Sequence, residues 1–392
     1  MHLKFDHAFY KWNSEYELFK IWGEVVGLNR ILFLSLFLMG FAPASISLPI
    51  LAPIFLCLFF FRGWRFNIYT AIYILFTLIL LFLVYVVFWY NIHEDGAMPI
   101  FFYMSFTYLF FVVSILMLRD QKDLKNCLVS FSVGIYCSVL MTCIYTIFWK
   151  EKYIGIGSVF NPLFGPEPTL SPVWSNMLAL ALIIVIFLVD NVKLKLIFVF
   201  LGLAMGVYLG GRTFFLVVGL ALLLTQSPLN LIYWLAGTVL VAALSLYIGS
   251  EYIDQLILVF EAKGLDSTRF LHWQYALDNF QYYPFGGMEV NQQIEGIGSF
   301  HNIFIDIYRI GGVPLFVVFL VHLMIAFAAS SKSFRNCVML LLILIILMQD
   351  SIFEGGVRLF FFYLFFSAVI IFPGSVRRPK YGLSSPPKFD GK

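Results

Sequence analysis

Long apolar runs, broken by short charged or turn-forming stretches, dominate this chain. They fall near 30-43, 47-61, 68-90, 99-118, 127-149, 174-190, 194-210, 213-226, 229-249, 303-330, 337-352 and 358-372. A helix needs roughly 20 such residues to cross the hydrocarbon core of a bilayer. The pattern therefore predicts an all-α, polytopic helical bundle of about 12 transmembrane helices, with no room in 392 residues for a sizeable soluble domain. Residues 1-249 form an N-terminal bundle of about nine spans, 250-302 one large loop with short helices, 303-372 the C-terminal spans, and 373-392 a tail.

Two polar segments interrupt this pattern. Residues 150-173 carry Pro162, Pro166, Pro168 and Pro172 around Glu167, which reads as a structured cap built on turns. Residues 250-302 form a stretch far longer than ordinary connections, and loops of that length are functional or disordered. Its many aromatic residues argue against disorder. Within it, Phe270, Trp273, Ala276, Leu277 and Phe280 recur at helical spacing. The spacing predicts a short amphipathic helix over 268-280 on the membrane surface, opened by Arg269 and capped by Asp266 or Ser267.

Composition agrees with a membrane protein: 61% hydrophobic, 19% aromatic and only 12% charged residues, against about 25% charged in soluble proteins. With the N-terminus in the cytoplasm, 18 of the 25 basic residues fall on cytoplasmic segments. This bias orients the chain with both termini cytoplasmic. The net charge of +3 then reflects topology rather than affinity for nucleic acid. The N-terminal residues lack a short apolar segment and cleavage site, so no signal peptide is expected. The five cysteines, Cys57, Cys127, Cys137, Cys143 and Cys337, have no CxxC spacing, and neither disulfides nor a metal site is expected.

Seven basic residues remain at the outer side, among them Arg212 and Arg269, with His301 beside them in the same topology. Arginine at a membrane boundary is costly enough to call for a reason. Two guanidinium groups suit a diphosphate, because their planar donor forks match phosphate oxygens. A neutral imidazole suits the deprotonation of a hydroxyl near neutral pH. Each residue has a competing structural reading. Arg212 could snorkel from a helix end, although Gly210 and Gly211 leave space beside it. Arg269 could pair with Asp266, and His301 could cap a helix together with Asn302. Arg309 has Asp306 three residues before it, an expected ion pair in which Asp306 could also face the site. Asp350, Glu354 and Arg358 form a second-rank group, either an acceptor contact or a local salt bridge. His272 and His322 are read as structural.

Three blocks carry a resemblance: GGRTFFLVVGLALLL at 210-224, RFLHWQYALDNFQYYPFGGM at 269-288 and FHNIFIDIYRIGGVPLF at 300-316. In order and spacing they resemble the bacterial O-antigen ligase and O-antigen polymerase superfamily, through Arg212-Thr213 at a helix end, Arg269-Trp273-Ala276-Leu277-Pro284-Gly286 in the loop, and His301-Asn302 opening the next helix. Recognisable motif covers about residues 205-320, and Gly287-Met288 stands where members often have a second Gly-x-Gly element. The resemblance implies a glycosyltransferase of the bacterial inner membrane with a periplasmic active site, working in lipopolysaccharide biosynthesis. Its donor would be an undecaprenyl-diphosphate-linked glycan and its acceptor another glycan or lipid A-core, with membrane lipids and polysaccharide-assembly proteins as further partners.

On this reading Arg212 and Arg269 bind the diphosphate, His301 is the general base, and Gly211, Thr213, Trp273, Asn302, Asp306 and Glu167 contact donor or acceptor. Electrostatic stabilisation of the leaving diphosphate requires no metal and no cofactor. Polymerase is marginally preferred to ligase, because segments 91-98 and 150-173 offer few basic residues to a phosphorylated core. The alternative from another class is a flippase or transporter for the same lipids. Secondary transporters show internal repeats and midplane charges, whereas this chain shows no convincing repeat and gathers its charges at one face.

Overall fold

The computed structural model describes residues 28-43, 46-47, 49-54, 68-116, 121-149, 158-165, 169-225, 268-291, 300-349, 353 and 357-371. In chain order the elements are α1 (Leu28–Phe41), α2 (Ile68–Ile92), α3 (Ala97–Leu116), α4 (Gln121–Trp149), a two-stranded hairpin of β1 (Ser158–Val159) and β2 (Thr169–Leu170), α5 (Ser171–Leu188), α6 (Val192–Leu209), α7 (Arg212–Thr225), α8 (Thr268–Asn279), α9 (Ile303–Ser330), α10 (Phe334–Leu347) and α11 (Val357–Ile371). Among the described residues, α2 to α6 and α9 are long and apolar enough to cross a membrane. The apolar helices α1, α7, α10 and α11 are shorter. An all-α membrane protein follows. The expected span at 229-249, most of the one at 47-61, much of the large loop and the C-terminal tail lie outside the described residues.

Helices apolar on every face place the most buried ones centrally. α5 and α11 form that centre, with Leu178 to Val185 and Leu359 to Phe366 almost wholly enclosed. Aromatic side chains fill the space beside α11, where Phe111 and Phe365 stack at 4.0 Å between ring centroids. α1 packs on α4 where glycines let backbones approach: a side chain at Gly40 would meet the Phe131 carbonyl, and one at Gly134 the Phe37 carbonyl. Small residues at such crossings are the usual means of close helix packing in lipid.

Cross-links at the helix ends fix which ends lie together. Arg358, at the start of α11, donates to the Ala42 and Gly40 carbonyls at the end of α1. Its guanidinium lies 4.3 Å from the ring of Phe164, in the turn between β1 and β2. Arg358 thus caps α1, while Asp350 and Glu354, its partners in the group considered from sequence, lie outside the described residues. Gly211 abuts Ser175 in the first turns of α5, and the last residues of α10 meet α8 through Gln349. These segments share one end of the bundle. At the other, Arg335 donates to the Phe187 carbonyl, beside the exposed Val192, Lys193 and Leu194 at the start of α6.

The helix that matters most for the site is broken. α9 contains Gly312 at φ 59°, ψ −153°, a backbone state essentially confined to glycine. A break in lipid is tolerated only when the released backbone groups find partners. Here the turn after α8 supplies them. The Gly287 and Met288 amides donate to the Arg309 carbonyl at 2.7 and 3.2 Å, and the Val313 amide donates to the Pro284 carbonyl at 2.9 Å. Asn91, near the end of α2, donates its side-chain amide to both the Ile310 and Phe285 carbonyls. The contact is backbone on backbone: a Cβ at Gly312 would meet the Pro284 carbonyl and one at Gly286 the Ile310 carbonyl. Pro284, Gly286, Gly287, Gly311 and Gly312, which sequence places in two separate blocks, form one joint.

Candidate functional site

α8 begins at Thr268, as its apolar spacing predicts, and gives way at Phe280–Tyr282 to a 3₁₀ turn. Its faces differ sharply. Phe270, Leu271 and Leu277 are exposed, whereas His272 and Ala276 are fully buried. An apolar face turned outward beside a bundle of membrane helices suits a helix lying in the interface. The inward face carries Arg269, His272 and Trp273 toward the start of α9.

That start is tightly held. The Trp273 indole N–H donates to the Phe300 carbonyl at 2.7 Å, fixing the residue before His301. His301 itself has φ 53°, in the left-handed region where a residue with a side chain is uncommon. Asn302 then caps α9, its side-chain oxygen accepting from the Phe304 amide at 3.0 Å and the Ile305 amide at 3.5 Å. The sequence left helix capping open as a task for His301 and Asn302 together; Asn302 performs it, and His301 is set just ahead of the cap. Strain of this kind persists where the surroundings over-determine it, and it gathers at functional sites. Nearly two turns on, Tyr308 donates its hydroxyl to the Phe280 carbonyl at 3.0 Å and lies ring on ring with Phe280.

The structure brings Arg269 and His301 together. Arg269 is half-buried and donates to the Gln349 carbonyl at 2.7 Å, which steers its guanidinium between α8 and the end of α10. Burial, then the positive charge of Arg269, then the neighbouring His272, push the His301 imidazole down to about 4. At neutral pH His301 is therefore uncharged beside a fixed cation. Burial also lowers His272.

Beneath this pair lies Asp306, fully buried, with its carboxylate 3.6 Å from the guanidinium of Arg309. The ion pair expected from their spacing is formed. Asp306 also accepts from the Asn302 amide at 3.3 Å, so the pair joins the cap of α9 to the carbonyl at which α9 breaks. The Arg309 guanidinium sits 5.9 Å from the Phe88 ring centroid and 5.8 Å from that of Phe300. Buried charge needs such partners, and here they tie the site to the joint.

Arg212 lies on a different element. α6 ends on Gly210 in the left-handed conformation, and α7 opens two residues later with Arg212 exposed and Thr213 half-buried. Gly211 is buried against Ser175. All three share the end of the bundle with Arg269 and His301; Arg212 and Thr213 sit on α7, which packs on α5 and α10, and Gly211 immediately precedes it. Glu167 lies outside the described residues. Among the described residues, no three His, Cys, Asp or Glu side chains gather closely enough to hold a metal ion.

Two residues of this region, Gln349 and Asn91, escaped the sequence reading, and His272 was read there as structural. His272 is one helical turn from Arg269 on the same face, a spacing visible in the sequence once α8 was placed. Gln349 and Asn91 are polar residues at the ends of apolar runs, the one signal they gave. No family model matches the chain, and no curated protein matches it.

Proposed function

We propose that this chain is a membrane glycosyltransferase that moves a glycan from an undecaprenyl-diphosphate carrier to a sugar hydroxyl at the periplasmic face of the bacterial inner membrane. The observation that carries the proposal is the seating of a neutral imidazole, His301, beside the half-buried guanidinium of Arg269 on an otherwise apolar bundle. A fixed cation stabilises charge developing on a leaving diphosphate, and an uncharged imidazole takes the proton of an attacking hydroxyl. Arg212, exposed at the same end, adds a second donor fork for the phosphates. Trp273, Asn302 and Asp306 act by holding His301 in place, and the outward apolar face of α8 keeps the site at the depth of a lipid head group.

The resemblance of the three sequence blocks to the O-antigen polymerase and ligase superfamily supports the same reading, with polymerase preferred for the reason given by segments 91-98 and 150-173. The test is the glycan made by a deletion strain, combined with transfer by the purified chain from an undecaprenyl-diphosphate-linked glycan. Single-repeat lipopolysaccharide identifies a polymerase. Loss of O-antigen, with polymer left on the carrier, identifies a ligase. An unchanged glycan and no transfer in vitro would remove the proposal.

A further inference from the structure

Several hydroxyls buried in this bundle satisfy themselves within their own helix. Thr107, Ser114, Ser132, Thr142 and Thr146 each donate to the carbonyl four residues back, the usual course for Ser and Thr in a helix that faces apolar surroundings. Ser175, in the first turns of α5, does not. It is fully buried, and its hydroxyl has no hydrogen-bond partner among the described residues. Buried polar groups are almost always paired, so each exception asks for an explanation. Ser105 and Ser138 share the lack, but both lie in mid-helix.

Ser175 instead faces the start of α7. Its Oγ stands where a Cβ on Gly211 would lie, so only glycine there admits it. α6 ends on Gly210 at φ 68°, whose amide donates back to the Gly206 and Val207 carbonyls, and α7 begins directly after Gly211. The ring of Phe214 packs over Gly206, in the space a side chain there would need, and fixes this corner. The first amides of a helix have no partner within it. A serine, threonine or asparagine ahead of the helix ordinarily supplies one, as Asn302 does for α9, but Gly210 and Gly211 have no side chain to offer. The corner therefore sets a buried, idle hydroxyl beside the uncapped start of a 14-residue helix. Amides oriented in this way favour a phosphate group. Arg212 is exposed and Thr213 half-buried, which puts the corner at the surface of the bundle.

We propose that the start of α7 is a phosphate subsite, in which the Ser175 hydroxyl and the first amides of α7 donate to phosphoryl oxygens of a lipid-borne diphosphate. The inference rests on the diphosphate reading above and adds to it a residue, Ser175, and a place for the phosphate. The donors are a hydroxyl and backbone amides, so the subsite is built without a titratable group, and no bond is made or broken in it. Ser175 is a binding residue and takes no part in proton transfer. Its hydroxyl is idle in the free protein and is satisfied in the complex.

Calorimetric titration of the purified full chain with farnesyl diphosphate and with inorganic pyrophosphate, alongside melting temperature in detergent, tests the subsite. Ser175→Ala removes one atom that is idle in the free protein, so its melting temperature should equal or exceed that of the wild type. Its affinity for farnesyl diphosphate should fall by about tenfold, the size of one hydrogen bond to a charged group. Pyrophosphate should compete for the same site more weakly, since it lacks the chain. Unchanged affinity, or affinity lost only along with melting temperature, would make Ser175 a packing residue and overturn the proposal. Binding of pyrophosphate without farnesyl diphosphate would assign the corner to a free anion and overturn it as well. If Ser175→Ala does not fold, Ser175→Cys, with its much weaker donor, is read in its place by the same criterion. Failure of the diphosphate reading itself looks different: the wild type then binds neither probe, and the subsite falls with that reading.

Discussion

The two halves of α9 each bury a polar cluster, and they do so in opposite ways. In the half after Gly312, His322 is enclosed between α2 and α11 with every polar atom matched. Ser367 donates to the Leu364 carbonyl, Tyr73 donates to Ser367, and Thr77 donates to the Tyr73 carbonyl. With those hydrogens spent, the Nε2–H of His322 donates to Tyr73 at 3.0 Å and lies 3.2 Å from Thr77, while Tyr363 donates to Nδ1 at 2.8 Å. The count closes with a single tautomer. In the half before Gly312, His301 is strained, the nearby His272 has no hydrogen-bond partner among the described residues, and the cations Arg269 and Arg309 lie within the same few turns. A satisfied network staples helices. The other cluster holds charge beside a strained backbone and ties the cap of α9 to its break.

The largest effect expected from breaking this contrast falls on the half before Gly312. Asp306→Ala leaves Arg309 buried between Phe88 and Phe300 without its carboxylate, at a cost of about 3–5 kcal/mol, read as a fall in melting temperature in detergent. Replacing both partners by leucine should recover most of that loss, because the cost comes from the stranded charge.

Next in size is the joint. Gly312→Ala forces a side chain into a backbone state that costs about 1–3 kcal/mol and drives its Cβ toward the Pro284 carbonyl. Faster hydrogen exchange at the Gly287, Met288 and Val313 amides should report the undocked turn, with the half after Gly312 unchanged. His322→Phe should behave in reverse, costing about 1–3 kcal/mol for each hydroxyl left unpaired while the exchange of Gly287 and Met288 stays as it was.

A further effect is on pH dependence. His301 is lowered from 6.5 to about 4 in the folded chain, so between those values the unfolded chain binds the extra proton. Stability is therefore lost as pH falls from about 6.5 toward 4. His301→Gln should flatten that acid limb of the melting curve, and an unchanged limb would place the titration elsewhere.

What the sequence disclosed follows from which signals are local. Apolar runs and the spacing of Phe270, Trp273 and Ala276 located the helices and the extent of α8, and the three-residue separation of Asp306 and Arg309 announced their pair. Long-range pairings left no such trace. Nothing in the order of residues places Pro284 against Gly312, Arg269 against Gln349, or Asn91 across both segments, because each depends on how distant helices pack. That neither ring nitrogen of His272 has a partner among the described residues is likewise visible only once its neighbours are fixed. Arg212 was put in the trio by a conspicuous local pattern, and the structure sets it at the start of α7, at the end of the bundle that it shares with Arg269 and His301.

The central claim is that Arg269 grips a diphosphate while His301 moves a proton, and separating donor binding from turnover in purified variants tests it most directly. Arg269→Ala should lose both, with Arg269→Lys restoring little because a point charge does not reproduce a bidentate fork. His301→Ala should keep donor affinity near that of the wild type while transfer falls by about 10²–10⁴-fold. Transfer by His301→Ala above about a tenth of the wild-type rate, against that expected loss, or unaltered donor binding by Arg269→Ala, would contradict it.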